Sequence, residues 1–275
     1  MGELLAREYA EAMPEVDFKL VDVVGSVAAI NAIQRREADV GVAFADVAYE
    51  AQARLADHHD PTLGALRGMA ALQVAPVHLV ARAGAHVRDV LDLPGHRIGT
   101  GQESSGQERL AERIFDAYQL DRDVLDRVSI FPDAAAASLS KGAVDAAFLT
   151  GYYPLTPVSD AMRNGARLIP IDGSPVERLT REYPFLRRVV IPANTYPGQT
   201  DPIRTIAVDR LLVCRSDLDD ALVYAMTRRL LESLPRMRSF LRTSLRMIDV
   251  EEASATPIPL HDGAARYYRE RELTR

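Results

Sequence analysis

The chain has 275 residues, 47% of them hydrophobic and 26% charged, which is the composition of a folded globular protein. Its net charge of −6 excludes the basic field that a nucleic-acid partner demands, and no run of the ~18 apolar residues needed for a bilayer span occurs. One cysteine excludes an intrachain disulfide, and only Lys19 and Lys141 are lysines, so nearly all positive charge is arginine.

Leu5, Tyr9 and Met13 fall four apart and predict an amphipathic helix over Gly2–Met13, stopped at Pro14. Phe18–Val24 alternates as a strand. Gly25-Ser26 opens a helix through Ile30 and Ile33, and Ala38–Phe44 is a short apolar run that reads as a buried parallel strand. A helix over Ala48–Leu55 and a strand over Val77–Ala81 follow. His96-Arg97-Ile98 runs through a Gly/Ser loop into a helix carrying Leu110, Ile114 and Phe115 on one face. Further on, Val128–Phe131, Val144–Leu149, Arg167–Ile171 and Thr205–Cys214 read as strands. Asp133–Leu139 reads as a capped helix, Ser159–Asn164 as a helix, and Asp219–Leu234 as an amphipathic helix closed by Pro235. Cys214, in the apolar run Leu211–Cys214, reads as a small buried side chain. Strands alternating with helices predict an α/β fold with mainly parallel sheets.

Arg36–Phe44 resembles Lys141–Leu149: in each a helix ends, a tight turn carries an aspartate, and a small-residue strand follows. Two such units about a hundred residues apart suggest two similar lobes.

Chemistry-bearing patterns are few. The loop Gly99–Gln107 feeds a helix N-terminus, where free N–H groups and the positive end of the dipole suit an anion. Ser104, Ser105, Gly106 and Gln107 are its candidate ligand contacts; Ser105 serves equally well as a plain cap. Gln107 and Glu108 stand where a P-loop needs Lys and Ser/Thr, so nucleotide binding is not expected. Ser26 repeats the strand–Gly–Ser–helix pattern. Phe148 and Gly151 sit at and just beyond the C-terminal end of a buried strand, where open α/β sheets hold ligands. No nucleophile elbow, H-E-x-x-H motif or paired cysteines occur. His58-His59-Asp60, adjacent residues on a polar loop, are not expected to converge on a metal, and no cofactor is expected. His78, in an apolar strand, reads as a satisfied buried histidine.

Taken together, these segments resemble the TAXI-type solute receptors of TRAP transporters. The matching stretches are Gly25-Ser26-Val27 with Asn31, Ala38-Asp39-Val40 through Tyr49, Val77–Val80, Asp92–Ile98, Ser105-Gly106, Gly142–Phe148, Gly151–Pro154, Ile191–Tyr196 and Pro257–Ala264, with Tyr267-Tyr268 and Glu270 after the His-x-Gly-Ala ending. The resemblance implies a two-lobed, type II periplasmic-binding-protein fold. Lobe one comprises 1–82 and 205–275, lobe two 83–204, with hinge strands near 77–82 and 205–213. It also implies a small organic acid or acidic amino acid bound between the lobes, a TRAP-type membrane permease as partner, and a monomer that binds without catalysis. Asp46 and Tyr196 join the candidate contacts on this basis. A ligand sensor coupled to a regulator or kinase, or an enzyme on the same fold, are the other readings. Two positions depart from the family: Phe44-Ala45 precede Asp46 where Gln-Ser is frequent, and Gln107 replaces a usual Thr. Met1–Ala6 lacks a leader pattern and aligns with the family's first helix. The expectation is therefore a longer native protein, with an upstream signal peptide and strand and a periplasmic location.

Overall fold

A computed structural model of the chain describes residues 2–23, 25–58, 65–103, 105–240 and 250–273. They fall into two compact units, one made of Met1–Val74 with Asp209–Arg275, the other of Ala75–Val208. In chain order the first unit contributes α1 (Gly2–Ala12), α2 (Gly25–Gln34), β1 (Val40–Phe44) and α3 (Ala45–His58), and β2 (Leu66–Ala81) carries the chain onward. The second unit holds β3 (Arg97–Gly101), α4 (Gly106–Ala117), β4 (Asp126–Ser129), α5 (Ala135–Ser140), β5 (Ala146–Thr150), α6 (Thr156–Arg163), β6 (Arg167–Ile169), α7 (Ser174–Glu182) and β7 (Leu186–Ile191). β8 (Ile203–Arg215) returns the chain to the first unit, followed by α8 (Asp220–Phe240) and α9 (Asp262–Leu273).

In the first unit the apolar stripe of α1 does what its spacing predicts. Leu5, Tyr9 and Met13 pack into one buried cluster with Val223, Met226 and Leu230 of α8 and with Cys214. Burial pushes the Cys214 thiol up to about 12, so it is a packing group and not a nucleophile. α8 does not stop at Pro235, which lies inside it. Burial of Leu230, Leu231 and Leu234 outweighs the one backbone bond a proline removes. Residues 18–23 form no strand. Phe18 stacks on Tyr9 with ring centroids 5.6 Å apart, whereas Leu20 and Val21 are half exposed, at 55% and 50%. Alternation alone does not make a strand without a ladder to join.

The His-x-Gly-Ala ending is a packing device. Gly263 opens α9 so close to α8 that an added Cβ would lie 2.2 Å from the Asp220 carbonyl oxygen. Buried His261 accepts the Gly263 N–H at Nδ1, 3.2 Å away, and its own N–H donates to the Gly68 carbonyl at 2.9 Å.

In the second unit, residues 77–81 of β2 pair antiparallel with both β5 and β6, while β3 pairs parallel with β4 and β5. β7 pairs antiparallel with β8, and in the first unit β1 does the same. The architecture is mixed α/β. Parallel pairing among the described ladders is confined to β3 and its neighbours, so the mainly parallel sheet expected from alternation is corrected. The two long strands β2 and β8 run against their partners, and helix–strand alternation in sequence carries no information about such long strands. β1 is likewise antiparallel and half-buried, not a buried parallel strand. The first part of β2, together with α7 and β7, lies beyond the elements predicted from the sequence: β7 sets Arg187-Arg188 ahead of Val189-Val190 and shows no alternation.

The echo seen in the sequence is a structural repeat, one residue out of the register read there. Arg36 and Gly142 both take left-handed backbone, with φ of 63° and 67°, closing α2 and α5. Glu37 and Ala38 N–H donate to the Ala32 carbonyl, as Ala143 and Val144 donate to that of Ser138. This is a Schellman-type end in each unit. Asp39 then matches Asp145. The Asp39 carbonyl accepts from Arg215 N and the Asp145 carbonyl from Arg82 N, at 3.1 and 3.0 Å. The ladders agree: Val40 faces Cys214 and Phe44 faces Arg210, as Ala146 faces Ala81 and Thr150 faces Val77.

Candidate binding site

In the second unit β3 ends at Gly101, whose φ is +104° and whose missing side chain leaves room for its neighbours. A Cβ there would stand 3.0 Å from Gln107 Nε2 and 3.1 Å from Ser105 Oγ. Ser105 is the N-cap of α4, its Oγ accepting the Glu108 N–H at 3.2 Å. The N–H groups of Gly106 and Gln107 precede the first intrahelical bond, so the start of α4 presents donors and a positive dipole end.

Gln107 fixes where that end points. Its Nε2 donates to the Phe148 carbonyl at 2.8 Å and its Oε1 accepts the Thr150 N–H at 3.2 Å. These are the groups a neighbouring strand would use. β3 pairs with β5 only at Ile98–Ala146 and Gly99–Ala147, and the Gln107 amide carries the ladder two residues further. A threonine at this position would be too short to make both bonds. Beside it, the Thr150 hydroxyl is buried without a hydrogen-bond partner among the described residues, a polar group at the C-terminal end of β5. Gly151 follows, its N–H donating to the Pro76 carbonyl at 3.1 Å, and the Tyr153–Pro154 peptide is cis.

Two of the candidate side chains point into the core. The Phe148 ring is fully buried, edge-on to Phe115 at 5.6 Å, so what it offers the loop is its carbonyl. Tyr196 is 3% exposed. Its hydroxyl accepts the Leu155 N–H at 3.0 Å and lies 2.8 Å from His78 Nε2. The donor of the bond to Nε2 depends on the imidazole tautomer, and Nδ1 has no hydrogen-bond partner among the described residues. Burial pushes His78 down to about 4, against the pull of the Leu149 and Pro76 backbone, so the imidazole is neutral and satisfied at Nε2.

In the first unit Ser26 lies in the opening turn of α2 and its Oγ accepts the Phe44 N–H at 3.0 Å. A first-turn side chain thus grips the end of a strand in both units, Ser26 on β1 and Gln107 on β5. Asp46 is 1% exposed in the first turn of α3, where the helix dipole favours a carboxylate. Arg210, paired with Phe44 across the ladder, stacks on its ring at 4.9 Å.

A family model for the NMT1-like family matches residues 1–271. The chain belongs to the NMT1-like family. Solved structures with the same fold include three of clear similarity. One is the periplasmic aliphatic sulphonate binding protein SsuA from Escherichia coli, 16% identical, with a TM-score of 0.55 over 100% of this chain and 90% of that one. Another is PhnD1 from Prochlorococcus marinus (MIT 9301) in complex with methylphosphonate, 13% identical, TM-score 0.54, over 98% and 91%. A third is a Xanthomonas citri protein bound to ATP, 13% identical, TM-score 0.55, over 98% and 92%. The fold of this NMT1-like chain is thus the two-lobed periplasmic-binding-protein fold.

Among the candidate residues, the structure brings Ser105, Gly106, Gln107, the Phe148 backbone and Gly151 to one end of β5 in the second unit. Ser26 and Asp46 stand together at the end of β1 in the first. Ser104 lies outside the described residues, as does the adjacent pair His59-Asp60. Among the described residues no group of three His, Cys, Asp or Glu side chains is placed to hold a metal, and no helix is long and apolar enough to cross a membrane. Sequence reasoning passed over Thr150 and Arg210. Thr150 lies between the candidates Phe148 and Gly151, and nothing local in the sequence marks Arg210, whose contact with Phe44 is made across the ladder.

Proposed function

We propose that this protein is a solute-binding receptor for a small anion, handing its ligand to a membrane permease outside the cytoplasm. The observation that carries the reading is the start of α4. Gln107 ties that helix end, with its open N–H groups and Ser105 cap, to the C-terminal end of β5, where the Thr150 hydroxyl is buried without a partner among the described residues. A donor-rich, pre-positioned helix terminus is built for a charged oxygen. The bound or named ligands of the three proteins described above are a sulphonate, a phosphonate and ATP, all oxyanions. The sequence resemblance to TAXI-type receptors supports a TRAP-type permease as the partner and a carboxylate as the anion. Among the described residues no paired acid and base or activated nucleophile accompanies the helix end, which favours binding over turnover.

The test is a thermal-shift and calorimetric screen of the purified chain against dicarboxylates, acidic amino acids, alkylsulphonates and alkylphosphonates, with neutral sugars as controls. At least one anion is expected to bind saturably, and Gln107→Leu is expected to weaken it. If only neutral solutes stabilise the protein, the anion reading falls; if a candidate acid is converted to product, the receptor reading falls.

A further inference from the structure

The structural repeat exposes a difference between the two units. In the first, Arg215 pairs with Asp39 at 2.7 Å. Two residues on, Asp217 sets its carboxylate on Arg215 Nε at 2.9 Å and on Arg36 Nη1 at 2.6 Å. These two guanidinium groups hold the Asp217 carboxyl below its ordinary range. In the second unit the same backbone positions are Arg82 and Asp145, joined at 2.9 and 2.7 Å. Two residues beyond Arg82, at the position that matches Asp217, the chain has Gly84, and Gly142 matches Arg36. An added Cβ at Gly84 would meet nothing within 4 Å.

Beside this position lies a cavity of 280 Å³ lined by Arg82, Ala83, Ser140, Lys141, Gly142 and Asn164, among others, close to the lower bound of ordinary ligand pockets. It sits at the N-terminal end of β5, the opposite end of the strand from Gln107 and Thr150. Its charge is unbalanced. Asp145 is committed to Arg82 and to the Arg97 N–H, the latter at 2.9 Å. The side-chain ammonium of Lys141, one of only two lysines in the chain, has no hydrogen-bond or ion-pair partner among the described residues. Several donors on its lining are unspent. Arg82 spends Nε, one Nη2 proton and one Nη1 proton on Asp145 and the Ala83 carbonyl. That leaves it two protons, Lys141 three, and Asn164 one after its bond to Ser140 Oγ.

We propose that this cavity binds a small, multiply charged oxyanion, of which inorganic phosphate is the simplest, between Arg82, Lys141 and the Asn164 amide. The bound oxyanion takes the place that the Asp217 carboxylate fills in the first unit. Asp145 holds the Arg82 guanidinium in position beneath it, so the cation is ordered before the ligand arrives. This site is separate from the helix end in the proposed receptor function and does not depend on it.

With two lysines, the full-length chain carrying ¹³C-labelled lysine yields two side-chain Cε signals, which Lys141→Met assigns. The probe is inorganic phosphate titrated against sodium chloride at matched ionic strength. The Lys141 signal is expected to shift saturably with phosphate while Lys19 stays still. Gly84→Asp installs the missing carboxylate in an exposed turn, and Asp is among the residues that accept positive φ. It is expected to weaken phosphate binding at least about tenfold, while Gln107→Leu leaves it unchanged. Three results would overturn the proposal: Lys141 and Lys19 moving together without saturation, Gly84→Asp leaving the midpoint unaltered, or Gln107→Leu abolishing the shift.

Discussion

At the residue scale, single side chains here stand in for backbone. Gln107 supplies the donor and acceptor that continue the β3 edge alongside β5. Replacing it with leucine leaves the Phe148 carbonyl and the Thr150 N–H without partners, and the expected cost is about 1–3 kcal/mol, read as a lower urea midpoint at unchanged m. His78 makes a pH prediction. Its folded value is about 4 against an ordinary 6.5, so the unfolded chain binds the proton more readily. The stability it contributes is complete above pH 6.5 and is lost as pH falls from there toward 4, to a total of about 3 kcal/mol. Below 4 both states are protonated and the loss stops. Urea midpoints across that window should slope in the wild type, and His78→Gln should remove this part of the slope. Gly263 is a third case. A methyl group there meets the α8 backbone, and Gly263→Ala is expected to cost at the upper end of the about 1–3 kcal/mol of overpacked sites, visible as a lower Tm.

At the scale of elements, the repeated helix–turn–aspartate–strand shows one local design placed in two environments. Both turns close through a left-handed residue, and both aspartates meet an arginine from the antiparallel long strand or just beyond it. Their energies differ because their exposures differ: the side chain of Asp145 is 13% exposed and that of Asp39 66%. Burial by itself raises the Asp145 carboxyl, but the Arg97 N–H and the Arg82 guanidinium outweigh it and hold the group below its ordinary range. Asp145→Asn is expected to cost about 1.5–3 kcal/mol, since hydrogen bonds to a charged group are lost. Asp39→Asn is expected to cost under about 1 kcal/mol, as exposed pairs do. Chemical denaturation of the two variants side by side checks the ranking, and equal losses would contradict it.

At the scale of the whole molecule, receptor function predicts a linkage between ligand and stability. A ligand at a hundred times its Kd stabilises the folded chain by about 2.7 kcal/mol, which for a chain of this length is a rise in Tm of roughly 5–10 °C. An anion that binds at the α4 terminus should give this shift in the wild type and a smaller one in Gln107→Leu, measured against each protein's own ligand-free Tm.

The amphipathic stripes of α1 and α4, the short strands β1, β3 and β5, and the Gly/Ser entry to α4 were legible in the sequence because local periodicity and capping chemistry encode them. So was the repeat, to within one residue, because a turn with a left-handed position followed by aspartate is written in neighbouring residues. The antiparallel sense of β2 and β8, the passage of α8 through Pro235 and the failure of residues 18–23 to form a strand depend on partners far away in the chain. Only the tertiary structure decided them. It also decided which candidates turn inward. Phe148 packs on Phe115 and Tyr196 on His78 because those partners lie 33 and 118 residues away, beyond any pattern that spacing reveals. Sequence determined where the amphipathic helices and the short strands β1, β3 and β5 lie. Packing determined which of their side chains remain available to a ligand, because burial is a property of neighbours that the chain brings together only when it folds.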